Sequence, residues 1–130
     1  MARWTEEELS LAKKNKIPHL ALQNRDGQYV NPDDTTFAAA AAGADWFSVP
    51  GMGISLVNQK GASSWPITGG SFALMYKNPS DKAASAEVIK FFDWAFKNGK
   101  KQALELDYVP LPDALTSQIA SKVWSQINNK

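Results

Sequence analysis

One stretch of the chain constrains its fold more than any other, because it combines a helical period with signals for both ends of a helix. We predict a helix over residues 81 to about 97, since apolar residues recur there on one face: Val88, Phe92, Ala95 and Phe96. Ser80 is suited to cap its first turn, and Gly99 is typical of a C-terminal stop. A helix with one apolar face must pack against another layer.

A further helix is predicted at the C-terminal end of the chain. It starts at about Asp113, and a core-facing stripe runs along it with a spacing of four: Leu115, Ile119, Val123 and Ile127. A short helical stretch is expected over residues 102–106. Pro110 and Pro112 then force an extended path between these two elements.

The first third of the chain predicts a helix, a hairpin and a second helix. Thr5 and Glu8 fit a capping box, which favours a helix over residues 6–15. Short apolar runs at 19–22 and 28–30 flank Asp26-Gly27, a pair typical of β-hairpin turns. Pro32, followed by two aspartates, favours a helix that runs to about Gly43.

The middle of the chain predicts a loop and then a strand. Residues 48–64 are rich in Gly, Ser and Asn and show no clear period, so most of them are expected to be loop. Residues 72–76 are a short apolar run that predicts a buried strand. These helices and strands are expected to lie in a single domain, the default for 130 residues.

Composition excludes several classes of partner. The net charge of +1 does not favour nucleic acid, and no apolar run is long enough to predict membrane insertion. The absence of cysteine excludes disulfides and thiolate chemistry. The residues after Met1 lack the apolar core of a secretory signal, so a cytoplasmic location is expected if Met1 is the native start.

Catalytic and metal motifs are not recognisable, so we predict a non-enzymatic chain without cofactor or metal. His19 is the single histidine, and it is expected to be a packed or half-exposed side chain. Asp33 and Asp34 are better explained as helix-start residues than as a catalytic pair. The Gly51-x-Gly53 pair does not continue into a dinucleotide or phosphate-loop motif.

One polar cluster could present hydroxyls and main-chain amides to an anion. It consists of Thr68, Gly69, Gly70 and Ser71. It precedes a predicted strand rather than a helix, so the field of a helix N-terminus is missing there. The alternative interpretation is that these residues only form a tight connection that leads into the strand.

Five ordered segments together resemble a known family. They are AGADW at 42–46, NQKG at 58–61, ASSWPIT at 62–68, FFDWA at 91–95 and LDYVPLPD at 106–113. In this order and spacing the chain resembles the C-terminal portion of the periplasmic phosphate-binding proteins of the phosphate ABC transporter, the PstS family. The hairpin and the preceding helix are also similar, so the resemblance covers nearly the whole chain.

The resemblance implies an α/β fold, as part of a two-lobed, type II periplasmic-binding-protein fold with its ligand in the cleft. Residues 1 to about 66 would belong to the second lobe, and residues 67 to about 130 would supply a crossover strand and first-lobe helices. It implies a periplasmic location, a role in phosphate transport and an ABC permease as partner. The family's Ser-Gly-Thr motif is absent here, and neither Arg3 nor Arg25 matches a binding position. We therefore expect an incomplete phosphate site.

Half of a two-lobed protein should expose apolar surface, so we expect self-association as a homodimer, with domain swapping as one route. Dimerisation could rebuild an anion site that uses Thr68 and Ser71. A structural or interaction remnant without a small-molecule ligand is the alternative. An esterase or phosphatase is retained only for completeness.

Overall fold

Helices and one small hairpin make up the regular structure of a computed structural model that describes residues 11, 12 and 14–129. The strands and helices are β1 Leu22–Gln23, β2 Tyr29–Val30, α1 Asp34–Gly43, α2 Lys82–Asn98, α3 Lys100–Glu105 and α4 Asp113–Lys122. Two 3-10 turns lie at Pro50–Met52 and Trp124–Gln126. The predicted mixture of helix and sheet is confirmed. Most of the helix predicted over residues 6–15 lies outside the described residues, although Leu11, Ala12 and Lys14 are helical.

The predicted hairpin is present, with strands shorter than expected. Leu22 pairs with Val30, and Gln23 pairs with Tyr29 in antiparallel register. Gly27 adopts the left-handed conformation, with φ of 79°, which explains the choice of Asp-Gly in the turn. Asn24 closes the turn, because its side-chain oxygen accepts hydrogen bonds from the backbone N–H of Asp26 and Gln28.

Asn24 and Asp26 also tie the hairpin to the loop that follows α1. The amide nitrogen of Asn24 donates to the carbonyls of Gly61 and Ala62, at 3.2 and 2.8 Å. A carboxylate oxygen of Asp26 accepts from the backbone N–H of Gly61 at 3.0 Å. Most of residues 48–64 is loop, as predicted, and these bonds determine where that loop lies.

Helix α1 begins at the predicted position because Asp33 caps it. The Asp33 carboxylate accepts from the Thr36 N–H at 2.9 Å, and the Thr36 hydroxyl accepts from the Asp33 N–H at 3.2 Å. A second hydroxyl, that of Thr35, donates to the same carboxylate oxygen at 2.6 Å. Asp33 and Asp34 are therefore helix-start residues, as the sequence indicates.

Two buried clusters hold the loop and helices together. In the first, Phe37 and the fully buried Trp65 meet edge to face at 6.1 Å, and Leu22, Val30, Ile67 and Val109 pack around them. The second joins α1 and the loop to α4 through four buried residues: Ala41, Trp46, Leu56 and Leu115. Both clusters depend on contacts between residues that are distant in sequence.

The tryptophans serve as core anchors only in part. Trp46 and Trp65 are buried. Trp94 is instead 57% exposed. Trp4 lies outside the described residues.

Helix α2 has nearly the predicted bounds but a different cap, and one residue of its predicted apolar face is exposed. Asp81, not Ser80, caps its first turn by accepting from the Ala84 N–H at 2.9 Å. The Asp81 carboxylate is one residue closer to the first turn. Gly99 ends the helix as predicted. Val88, which was expected on the core face, is 40% exposed.

The two C-terminal helices also shift from their predicted limits. Helix α3 begins two residues earlier than expected, at Lys100. Helix α4 ends at Lys122, and a 3-10 turn then carries the chain to Ile127. Leu115 and Ile127 are buried, so the two ends of the predicted stripe do face the core.

The buried strand predicted over residues 72–76 is wrong for the described structure. This segment forms no strand, and Phe72, Leu74 and Tyr76 are 49%, 93% and 83% exposed. A strand requires a hydrogen-bonded neighbour, and the one sheet among the described residues is the hairpin. The apolar run identifies a segment suited to a sheet, but no neighbouring strand is available to it here.

The cap of α1 generates a prediction on stability and pH. Partial burial would raise the pKa of Asp33, but the hydrogen bonds from Thr35 and Thr36 outweigh it and hold that pKa below its ordinary value. The charged carboxylate therefore stabilises the fold fully above the unfolded-state pKa, and this contribution is lost as pH falls through the lower folded-state value. Asp33→Ala should lower the free energy of unfolding in urea by about 1 kcal/mol at neutral pH.

The difference between wild type and Asp33→Ala should shrink as the pH falls below the unfolded-state pKa of an aspartate, about 3.9. Asp34→Ala is the matched control, since Asp34 lies one residue inside the helix and the cap is made by Asp33. An equal loss in both variants would contradict the capping argument.

The connection between hairpin and loop generates a second prediction. Asn24→Ala removes two donated and two accepted hydrogen bonds at a buried position, so we expect a loss of about 2 kcal/mol in urea denaturation. Gln59→Ala removes one exposed bond to the Ser55 carbonyl and should cost less than about 0.5 kcal/mol. Similar losses would show that Asn24 does not hold the loop.

Candidate functional site

A cavity of about 580 Å³ lies between α1, the loop after it and the three C-terminal helices. Its size is within the range of small-molecule sites. Aromatic and aliphatic side chains form most of its wall, among them Phe37, Trp46, Phe92, Phe96, Leu111 and Trp124. The four-residue cluster Thr68–Ser71 lies along the same cavity, so the fold brings the predicted anion contacts together with an apolar wall.

The aromatic side chains of the cavity hold α2 against the C-terminal segment. The rings of Phe96 and Trp124 stack with nearly parallel planes, at an interplanar angle of 3° and with ring centroids 5.7 Å apart. Phe92 lies beside Phe96, with centroids 6.5 Å apart. Elsewhere on the cavity wall, the ring centroids of Trp46 and Phe72 are 6.2 Å apart. The cavity is therefore a gap between well-packed aromatic pairs.

The candidate residues Thr68, Gly69, Gly70 and Ser71 differ in what they offer a ligand. Thr68 is buried, and its hydroxyl donates to the Trp65 carbonyl at 3.2 Å. Ser71 is exposed. No hydrogen bond from the backbone N–H of residues 69–71 to another described residue is present. The available donors are thus three main-chain amides and one serine hydroxyl.

Gly70 brings this cluster close to the aromatic wall. A Cβ atom at Gly70 would lie 3.5 Å from the Phe72 ring and 3.7 Å from the Trp46 ring. These are ordinary van der Waals distances, so glycine is not required here for space. The cluster is in close contact with the wall without being strained by it.

Lys100 is the cation on the cavity wall that sequence reasoning missed. Its Nζ is paired with the carboxylate of Asp113 at the start of α4. This pair joins residues thirteen positions apart, and nothing in the local sequence pattern indicates it. Its charge is already partly neutralised, so it would have to be shared with any anion.

Other candidates from the sequence remain away from this cavity. His19 is exposed rather than packed, and Asp33 and Asp34 belong to the start of α1. Within the described residues, no cluster of three or more His, Cys, Asp or Glu side chains is placed to hold a metal ion. Every helix in that part of the chain is too short or too polar to cross a bilayer.

Relatives with curated names share this sequence over most of the chain. The chain is 43% identical over 122 residues to a phosphate-binding protein PstS of Pasteurella multocida. The aligned stretch covers 94% of this chain and 36% of that relative. It is 44% identical over 115 residues to the PstS of Haemophilus influenzae, and this alignment covers 88% of the chain and 34% of the relative. A PstS of Methanocaldococcus jannaschii is 30% identical over 118 residues, and this alignment covers 82% of the chain and 30% of the relative.

These comparisons confirm the resemblance inferred from the five ordered segments. No family model matches the chain. The chain spans about a third of the length of the curated relatives it matches.

The aromatic stack on the cavity wall generates a third prediction. Phe96→Ala removes the partner of Trp124 and enlarges the cavity, so we expect a loss of about 2 to 3 kcal/mol in the free energy of unfolding. Phe91→Ala is the matched control on the same helix, because Phe91 is 61% exposed, and it should cost under about 1 kcal/mol. Equal losses of stability would contradict the assignment of Phe96 to the packed face of α2 and of Phe91 to its exposed face.

Proposed function

Because this chain is similar over most of its length to phosphate-binding proteins named PstS, we propose that it is a segment of a phosphate-binding protein of that kind. The main support for this proposal is the sequence identity of 43–46% to four PstS proteins over nearly nine-tenths of the chain or more. In this proposal the chain binds or helps to bind a ligand and catalyses no reaction. Its role is in phosphate transport.

The finer parts of the proposal follow from the same relationship. The fold is part of a type II periplasmic-binding-protein fold, with residues up to about 66 in one lobe. Residues from about 67 supply a crossover strand and helices of the other lobe. The complete protein acts in the periplasm and delivers phosphate to an ABC permease.

We further propose that the phosphate site of this segment is incomplete. Phosphate is a small, strongly hydrated anion that needs several converging donors and positive charge. The cavity wall is mostly apolar, its Lys100 is paired with Asp113, and the Thr68 hydroxyl is directed to the Trp65 carbonyl. Three amides and the Ser71 hydroxyl would have to replace the water shell of the anion.

A second candidate is that the chain contacts an anion through Thr68, Gly69, Gly70 and Ser71 when it is assembled as a homodimer. The observation in its favour is the set of backbone N–H groups at 69–71 that have no acceptor among the described residues. A structural or interaction role without a small-molecule ligand is the third possibility. Self-association belongs to both of these candidates.

Calorimetric titration of the purified chain with inorganic phosphate tests the incomplete site. We expect no saturable heat up to about 1 mM phosphate, because too few donors converge to offset the desolvation of the anion. Sulfate titrated under the same conditions serves as the reference anion. Saturable binding at micromolar phosphate would overturn the proposal of an incomplete site.

Two variants separate the candidates if phosphate does bind. Thr68→Val combined with Ser71→Ala should weaken binding at least tenfold if the cluster holds the anion. Thr116→Val removes another hydroxyl from the same cavity wall and should leave the affinity unchanged. Binding that resists the double variant would contradict the role of this cluster.

A further inference from the structure

Asn98 and Gly99 form the junction between α2 and α3, and they are the one Asn-Gly pair in the sequence. In such a pair the backbone nitrogen of the glycine can attack the side-chain amide carbon of the asparagine, because glycine has no Cβ atom to hinder the approach. The asparagine then loses its amide nitrogen as ammonia. The side chain of Asn98 is exposed, so water reaches it.

The fold requires glycine at this junction. The Gly99 N–H donates to the Ala95 carbonyl at 2.7 Å and closes α2, while the Gly99 carbonyl accepts from the Ala103 N–H at 2.9 Å in α3. A Cβ atom at Gly99 would lie 2.7 Å from the Ala95 oxygen, closer than a side chain can approach a carbonyl without a shift of the backbone. Close packing of the junction therefore places a chemically labile pair at the end of α2.

Hydrogen bonds at the same junction protect the pair in the folded chain. Attack requires the Gly99 nitrogen to lose its proton, which is held in the bond to the Ala95 carbonyl. The Asn98 side chain is held as well, because its Nδ2 donates to the Trp94 carbonyl at 2.9 Å. The helical backbone at Asn98 also fixes the ψ angle that must rotate to bring the nitrogen onto the side-chain carbon. Reaction therefore requires the last turn of α2 to open.

The stack of Phe96 on Trp124 holds this turn in place. Phe96 precedes Asn98 by two residues, and its ring centroid lies 5.7 Å from that of Trp124. Trp124 belongs to the 3-10 turn after α4, so the stack fastens the end of α2 to the C-terminal segment. A helix end with fewer buried contacts opens more often.

We propose that Asn98 is a site of spontaneous modification whose rate is set by opening of the α2 end. In the open turn the Gly99 nitrogen gives its proton to solvent and bonds to Cγ of Asn98. The bond from Cγ to Nδ2 breaks, and the leaving nitrogen takes up a proton and departs as ammonia. The cyclic imide that remains then adds one water, which opens either of its carbonyls and leaves aspartate or isoaspartate at this position.

Either product disturbs the junction. A carboxylate at position 98 puts negative charge at the C-terminus of α2, where the helix dipole disfavours it, and an ionised carboxylate cannot donate to the Trp94 carbonyl. Isoaspartate also adds a methylene to the main chain between two helices that Gly99 alone separates. The reaction therefore marks permanently those copies of the chain in which the end of α2 has opened.

Peptide mapping by mass spectrometry tests the site on the whole chain, incubated at mildly alkaline pH. In urea, Asn98 should react at least about tenfold faster than Asn15, because only Asn98 precedes an unhindered glycine nitrogen. Asn15 is the matched control, since it is exposed and its Nδ2 donates to the carbonyl four residues earlier, but Lys16 follows it. In the native chain, Asn98 should react at least about tenfold more slowly than in urea, which corresponds to about 1.4 kcal/mol of local stability.

A pair of leucine variants tests the role of the stack. Phe96→Leu removes the ring but keeps an apolar side chain, so the fold is retained while the α2 end opens more often. Asn98 should then react at least about threefold faster in the native chain. Phe91→Leu makes the same substitution at a residue that is 61% exposed and should leave the rate unchanged. Circular dichroism checks the fold of each variant.

Three results would overturn parts of this inference. Reaction of Asn98 in urea no faster than that of Asn15 would exclude the site itself. A native rate equal to the rate in urea would show that the junction does not protect Asn98. Equal rates in Phe96→Leu and Phe91→Leu would show that the stack does not control the opening. Each is independent of phosphate titration, so the proposed function is tested separately.

Discussion

The burial of Trp65 is the constraint on which the rest of the structure depends. Its ring meets Phe37 of α1 edge to face, and its backbone N–H donates to the Thr36 carbonyl at 3.0 Å. Hairpin residues pack on the same cluster, together with Val109 from the extended segment before α4. One side chain therefore organises the hairpin, the first helix and part of the C-terminal region around a loop with little regular structure of its own.

The sequence predicts those elements whose signals are local. Asp33 and Gly99 limit helices α1 and α2 because a cap or a stop acts within one turn. The strand expected at 72–76 fails for the opposite reason, since pairing depends on a neighbour that local sequence cannot reveal. The same holds at the candidate site, where the pair between Lys100 and Asp113 and the stack of Phe96 on Trp124 arise from tertiary packing.

Helix α2 shows how the chain relates to its longer relatives. Phe92 and Phe96 line the cavity, while Phe91 and Trp94 are 61% and 57% exposed. A helix with large apolar side chains on two sides is typical of a position between two layers. The described residues cover the side of α2 that faces the cavity. The chain spans about a third of the length of the PstS proteins it resembles. The exposed apolar surface is consistent with that partial coverage.

The bridge from Asn24 to the loop has a consequence for the order of folding. It joins residues 37 positions apart, and closing a loop of that length costs about 3 kcal/mol of chain entropy. The hairpin turn and α1 need no such closure, because their hydrogen bonds connect near neighbours. They can form within microseconds, so we expect the loop to dock after both are in place. Loss of the bond between the Asp26 carboxylate and Gly61 should therefore act mainly on the unfolding rate. Loss of the turn bonds that the Asn24 side chain accepts should also slow folding.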